Sequence, residues 1–433
     1  MAYCELMWRR DRSEFEPQRA IAEHNQGESM STTGKAPAAY ELDRRRFLGS
    51  SALSLGPLFS GTLGLALHSI ASPEAAALDD APALPGLIER QKEPLNLEFP
   101  FSSLDSVITP ADRFFVRNHF GIPELDPATW RLKIDGEVNQ ELELSYDQLR
   151  KLPSKTLAAT LECAGNGRGF LDPKAKGVQW ELGAVSNAEW TGVPLAAVLQ
   201  KAGVKAGAVE VILEGADSGE VADPKSPGPI HFVRSLPIAK ARQAEVLLAY
   251  QMNGEDLAPS HGFPVRVLVP GWFGMASVKW LKRITVTATP YLGYWQTLSY
   301  SYFHGEPGRQ AITPVTEIQV KSSIARPAAK ELVPAGKPYR VFGAAWAGES
   351  QVAKVEVSAD GGQSWMAAKL LGEAVPFCWQ LWEHEWRVPK QPGPYKLMAR
   401  ATDRRGLAQP AAWDPGRRGY MINHILPVDV QVS

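Results

Sequence analysis

Between residues 95 and 290 short apolar runs alternate with turn residues. W-R-L-K-I-D-G (130–136), V-E-V-I-L-E-G (209–215), P-V-R-V-L-V-P (264–270) and V-K-W-L-K-R-I-T-V (278–286) are rich in β-branched residues and too short for globular helices. They read as strands. S-Y-D-Q-L-R-K-L (145–152) and P-L-A-A-V-L-Q-K-A (194–202) carry helical spacing instead, so this part is expected to be a mixed α+β domain. From about Ile312 the helical patterns stop. V-A-K-V-E-V-S-A-D-G-G-Q-S-W (352–365) and Y-K-L-M-A-R-A-T-D-R-R-G (395–406) alternate with period two around a D-G-G turn, which predicts an all-β immunoglobulin-like sandwich.

Composition supports a loop-rich chain, with 34 Pro and 37 Gly among 433 residues, a length that suggests two or three domains. The balance of 46 basic against 47 acidic side chains leaves no electrostatic footprint for nucleic acid or an anionic membrane. Any anion site must be local.

The N-terminal stretch carries an address. D-R-R-R-F-L-G-S-S-A-L opens with Arg44, Arg45 and Arg46, passes through a weakly apolar run and reaches small residues at 75–77. That order predicts a twin-arginine export signal over 30–77, followed by a Pro-rich linker over 78–94. The bland alternative is a membrane anchor, but its glycines and serines make the run poorly apolar. Residues 1–29, with Cys4, read as a mis-called start or a disordered extension. The twin-arginine route carries folded proteins, often already loaded with a cofactor, to the periplasm.

Of the 3 cysteines in the chain, two then remain in the mature protein. Cys378, in P-F-C-W-Q-L-W, reads as a buried structural thiol. Cys163 sits in T-L-E-C-A-G-N-G-R-G-F beside Arg168, where glycines bring the backbone close to a ligand and a cation favours thiolate. An exported pair of cysteines also permits a disulfide, which would make the protein a non-catalytic binding module.

Two further segments add polar chemistry. F-F-V-R-N-H-F (114–120) presents Arg117 and His119 on one side of an extended segment and Asn118 on the other. H-G-F-P-V-R-V-L-V-P-G-W-F-G-M-A-S-V-K-W (261–280) sets His261, Arg266 and Lys279 in one apparent hairpin. A lone thiolate among cations points to a thiophilic metal and an anionic substrate or cofactor. The spacing does not suit zinc, and C-x-x-C-H for haem c is absent.

The C-A-G-N-x-R loop, F-V-R-N-H, H-G-F-P-V-R with V-P-G and V-K-W, and the trailing sandwich together resemble the sulfite oxidase family of molybdenum enzymes. The likeness runs from about Leu95 to His424. It implies a molybdopterin domain over 95–305 and a dimerisation domain over 306–433. It further implies oxidation of sulfite to sulfate by oxygen-atom transfer, a homodimer, and an external acceptor such as a c-type cytochrome, since no haem domain accompanies the motifs. By the same resemblance Cys163 binds molybdenum. Asn118, His119, Asp217, His261, Arg266, Ser277 and Lys279 hold the molybdenum cofactor, and Arg117, Arg168, Lys176 and Trp180 surround the substrate. Tyr300 is the active-site tyrosine, with Tyr302 as a neighbouring candidate. Two positions depart from vertebrate members: Ser299 replaces an aspartate, and Gln380 falls where a further substrate arginine is expected. The rival within the family is an exported reductase of methionine sulfoxide or another S-oxide, which is expected to lack the sandwich. A nitrate-reducing relative would carry fused haem and flavin domains.

Overall fold

A computed structural model describes residues 86–305 and 308–433. The expected N-terminal extension, the export signal, the first part of the linker and Cys4 lie outside the described residues. The end of the expected linker is structured: Ile88–Gln91 pairs antiparallel with Asn96–Glu98. The polar side chains of Asn96 and Glu98 anchor it. Glu98 is buried and accepts a hydrogen bond from the Gly183 amide at 2.7 Å.

Two five-stranded sheets build the first half. In one, Lys155–Glu162 lies antiparallel to Val185–Pro194, which pairs with Leu247–Met252. Arg266–Leu268 adds to that last strand. In the other, Leu281–Thr287 runs between Arg131–Gly136 and Glu210–Gly219, parallel to the first and antiparallel to the second. The predicted helices form at Tyr146–Arg150 and Leu195–Ala202. The first opens on a capping box, the Ser145 hydroxyl accepting from the Gln148 amide and the Gln148 side chain accepting from the Ser145 amide. The domain is strand-rich, with helices reduced to short connectors.

The segment 261–280 is not the hairpin its sequence suggested. Arg266–Leu268 joins one sheet and Leu281–Thr287 the other. A 3-10 turn at Gly274–Ala276 and a left-handed Trp280, φ 51°, carry the chain across. His261, Arg266 and Lys279 therefore lie where two sheets meet.

After a short hairpin of Ser301–His304 with Ala311–Pro314, two more sheets follow. One is centred on Pro338–Trp346 paired with Lys321–Arg326 and Gln380–Arg387. The other is centred on Gly393–Asp403 between Val352–Ser358 and Val428–Val432. Val341, Val355, Trp382, Trp386 and Leu397 form a core between them. From Val341 to Trp346 this strand is buried on both faces. Val341 and Ala345 enter that core, whereas Phe342, Ala344 and Trp346 enter the core of the first half. The second half is thereby fused to the first by a shared strand.

Candidate active site

Lys155–Glu162 delivers Cys163 to the sheet edge, where the chain turns at once. The Asn166 amide donates to the Cys163 carbonyl at 2.9 Å and the Arg168 amide to the Gly165 carbonyl at 3.0 Å. Gly167, at φ 98°, supplies the left-handed step that this double turn requires. The Arg168 guanidinium folds back over the loop, and a Cβ on Gly165 or Gly177 would collide with it. The glycines thus make a slot for an arginine beside the thiol.

Cys163 stands at the junction of two cavities. A narrow one runs inward past Asn118, Asp217, His261, Arg266, Ser277 and Lys279. A wide one, about 870 Å³, opens outward past Arg90, Arg168, Lys176, Arg418 and Tyr420. Arg117, His119, Cys163 and Tyr300 border both.

The inner wall is tied together by its own hydrogen bonds. Arg266 donates to the carbonyls of His261 at 3.1 Å and Ser277 at 3.0 Å. The Ser277 hydroxyl accepts from the Val269 amide at 3.0 Å. Lys279 donates to the Ser260 carbonyl at 2.7 Å and to the Asn118 side-chain oxygen. Asp217 enters from Glu210–Gly219 where the pairing with Ile230–Pro237 slips between Glu214 and Ser218, a bulge that re-aims the side chain.

Burial dominates the electrostatics. It holds Lys279 well below its ordinary range, helped by Arg266, and brings Arg266 down to about 9. His261 falls to about 3 through burial, with Lys279 and Arg266 adding repulsion. His119 is likewise pushed well down by burial, then by Arg117, Lys279 and Arg234. Burial raises Asp217 to about 6 against the pull of Lys279. Both histidines are neutral at pH 7, and the wall sets two basic side chains, Arg266 and Lys279, against its one carboxylate.

The outer cavity corrects several expectations. Trp180 is fully buried and lines neither cavity; its carbonyl accepts from the Gly169 amide at 2.8 Å, so it supports the loop from behind. Lys176 lies on the exposed rim, where its ammonium pairs with the Asp223 carboxylate and donates to the Asp223 carbonyl at 2.7 Å. Gln380 is buried away from the site, donating to the carbonyls of Leu371 and Gly372. The further cation comes from Arg418, which lines the cavity and donates to the Ser301 hydroxyl at 3.1 Å. Its neighbours hold Arg168: Nε donates to the Gly419 carbonyl at 3.1 Å, and the guanidinium sits 5.5 Å from the Tyr420 ring. R-R-G-Y (417–420) was the signal to find, two cations and an aromatic around a glycine, hidden in a stretch read as sandwich.

Tyr300, rather than Tyr302, reaches the cavities, with a left-handed backbone, φ 48°. Its hydroxyl lies 2.6 Å from His119 Nε2, and burial pushes it up to about 12. Tyr302 pairs with Thr313 in the hairpin. Ser299 lines the outer cavity, 3.3 Å from the Tyr420 hydroxyl. Both remaining cysteines are free, which removes the disulfide reading; burial pushes the Cys378 thiol up to about 12.

The donor set suits a metal carried by an anionic organic group. Among the described residues no three His, Cys, Asp or Glu side chains gather to hold a bare ion. The one thiol instead adjoins a wall of buried cations and neutral donors matching a phosphate-bearing ligand.

Residues 119–295 match the oxidoreductase molybdopterin binding domain and residues 312–433 the Mo-co oxidoreductase dimerisation domain. The chain is 37% identical over 368 residues to mitochondrial sulfite oxidase of Rattus norvegicus, covering 80% of this chain and 66% of that one. It is 36% identical over 356 residues to sulfite oxidase of Gallus gallus, covering 78% and 75%. The crystal structure of the sulfane dehydrogenase SoxCD from Paracoccus pantotrophus superposes with a TM-score of 0.68 at 30% identity, over 81% of this chain and 86% of that one. Fold and site are those of a molybdopterin-binding oxidoreductase. The chain belongs to the sulfite oxidase family, and spans about two thirds of the length of the rat relative.

Proposed function

We propose that this protein oxidises sulfite to sulfate with a molybdenum cofactor and passes the electrons to an external acceptor. The observation that carries the reading is the thiol of Cys163 at the junction of a narrow, cation-walled cavity and a wide one bordered by Arg117, Arg168 and Arg418. Cys163 would ligate the metal. Asn118, His119, Asp217, His261, Arg266, Ser277 and Lys279 would hold the pterin and its phosphate. When bound, the cofactor supplies oxygen-atom transfer and the two-electron redox change.

The chain's own residues bind and orient. Arg117, Arg168 and Arg418 neutralise an oxyanion entering the outer cavity, each charge-assisted hydrogen bond contributing about 1.5–3 kcal/mol. Tyr300 keeps its proton near pH 7 and donates through its hydroxyl to an anion, or returns that bond to neutral His119. Lys176 and Asp223 guard the rim. The alternative, reduction of methionine sulfoxide or another S-oxide, asks the same cations to bind a neutral substrate, which their number disfavours.

The finer reading adds that the second half is an immunoglobulin-like sandwich through which two copies pair. The mature protein is exported to the periplasm by the twin-arginine signal, and the acceptor is a small c-type cytochrome. Purified protein assayed with sulfite and ferricyanide or cytochrome c, beside a sulfoxide with a reduced dye, tests the proposal. Sulfite-dependent acceptor reduction with stoichiometric molybdenum is expected. Sulfoxide turnover without sulfite oxidation would overturn it.

A further inference from the structure

Arg234 is a fully buried arginine on the strand Ile230–Pro237. Among the described residues no carboxylate pairs with it: burial works against its charge, and only the phenols of Tyr300, Tyr291 and Tyr420 favour it. Its Nε is buried without a partner. A cation taken out of water with no counter-ion is costly, and an apolar residue would fill the same space more cheaply.

What the guanidinium does is geometric. Nη1 donates to the carbonyl of Trp295 and Nη2 to that of Val315 at 3.0 Å. These carbonyls stand on either side of Tyr300 in sequence: Trp295 in the turn Tyr294–Thr297, Val315 directly after the hairpin. The Val315 amide closes the ring by donating to the Tyr300 carbonyl at 2.8 Å. The guanidinium carbon itself lies 6.0 Å from the centre of the Tyr300 ring. Tyr300 meanwhile holds a left-handed backbone that a tyrosine keeps only when its surroundings impose it.

We propose that Arg234 is a positioning residue for Tyr300: its rigid two-pronged fork ties together the chain entering and leaving the tyrosine and so aims the phenol at the junction of the two cavities. A lysine gathers its donors on a single nitrogen and lacks the two separate prongs, Nη1 and Nη2, that reach the two carbonyls here. The inference deepens the sulfite-oxidising reading and rests on it for the choice of assay.

The test compares holoenzymes of Arg234→Lys, Arg234→Met, Tyr300→Phe and the double variant Arg234→Lys/Tyr300→Phe. Arg234→Lys should keep its molybdenum content and change KM for sulfite by less than about twofold, while kcat falls by about tenfold or more. In the Tyr300→Phe background the same substitution should cost nothing further, because both act through one phenol. Hydrogen exchange should quicken at the Val315 amide in Arg234→Lys and Arg234→Met but stay unchanged in Lys155–Glu162. Full multiplication of the two losses in the double variant, an unchanged kcat, or an unchanged Val315 exchange rate would each overturn the proposal. Should the native protein fail to oxidise sulfite, the functional reading falls alone, since the Val315 exchange still decides whether the brace exists.

Discussion

Lys321 Nζ donates to Glu162 Oε1 at 3.0 Å, and both side chains are buried. Glu162 is the residue before Cys163, and Lys321 opens the first strand of the second half. The carboxylate accepts three hydrogen bonds. Asn166 Nδ2 donates to the same oxygen at 3.0 Å, Trp346 Nε1 to the other at 2.8 Å, and Lys321 also reaches the Asn166 carbonyl at 3.1 Å. The two halves are therefore locked together at the thiol-bearing loop.

Breaking one side of this pair strands a buried charge. Lys321→Met should cost about 3–5 kcal/mol of stability, whereas the joint replacement Glu162→Gln with Lys321→Gln, which keeps hydrogen bonds and removes both charges, should cost clearly less. Denaturant midpoints of the two variants check this. Equal losses would mean that a stranded charge is no costlier here than a neutral pair.

Much of this was legible in the sequence, and the gaps have physical causes. The Cys163 loop stood out because glycines, a cation and a thiol crowd one short segment, whereas Asn118, His261 and Lys279 entered through the family resemblance; the structure places all four on the inner cavity. Trp180 misled because an aromatic near a site is as useful for packing as for contact, and here it packs. Arg418 escaped because it reaches the cavity from 250 residues downstream of Arg168: R-R-G-Y marks a polar turn, but nothing in it says that the turn folds back onto the first half. The hairpin reading of 261–280 failed because alternation reports which face is buried but not which sheet a strand joins. Gln380, expected at the place of a further substrate arginine, lies away from the cavities on the carbonyls of Leu371 and Gly372.

Arg168 should act on substrate affinity. Replacing it by glutamine removes one charge-assisted contact, about 1.5–3 kcal/mol, so KM for sulfite should rise roughly ten- to a hundredfold. A fall in kcat is expected to be smaller. Steady-state kinetics on protein matched for molybdenum content separates the two, and an unchanged KM would remove Arg168 from the oxyanion site.

Cys163→Ser tests the metal directly. A hydroxyl is a poor ligand for a thiophilic metal, so bound molybdenum should fall to a small fraction of the native content. The fold should persist, since the loop is held by backbone bonds and by Arg168. Elemental analysis beside circular dichroism checks both halves of the expectation. Full molybdenum content in the variant would mean another residue holds the metal.

Two buried groups give the cofactor-free protein opposite responses to acid. His261 titrates near 3 when folded and near 6.5 when unfolded, so between those values the unfolded chain binds the extra proton and stability falls as the pH drops. For a fully buried imidazole the loss is on the order of 3–5 kcal/mol, and His119 adds in the same direction. Asp217 does the reverse. Its folded value near 6 exceeds the ordinary 3.8, so the folded state binds the extra proton and stability falls as the pH rises from about 4 to 6. His261→Gln should therefore raise the thermal midpoint most at pH 4–5, and Asp217→Asn most above pH 6. Scans of both variants across pH 4–8 decide the signs.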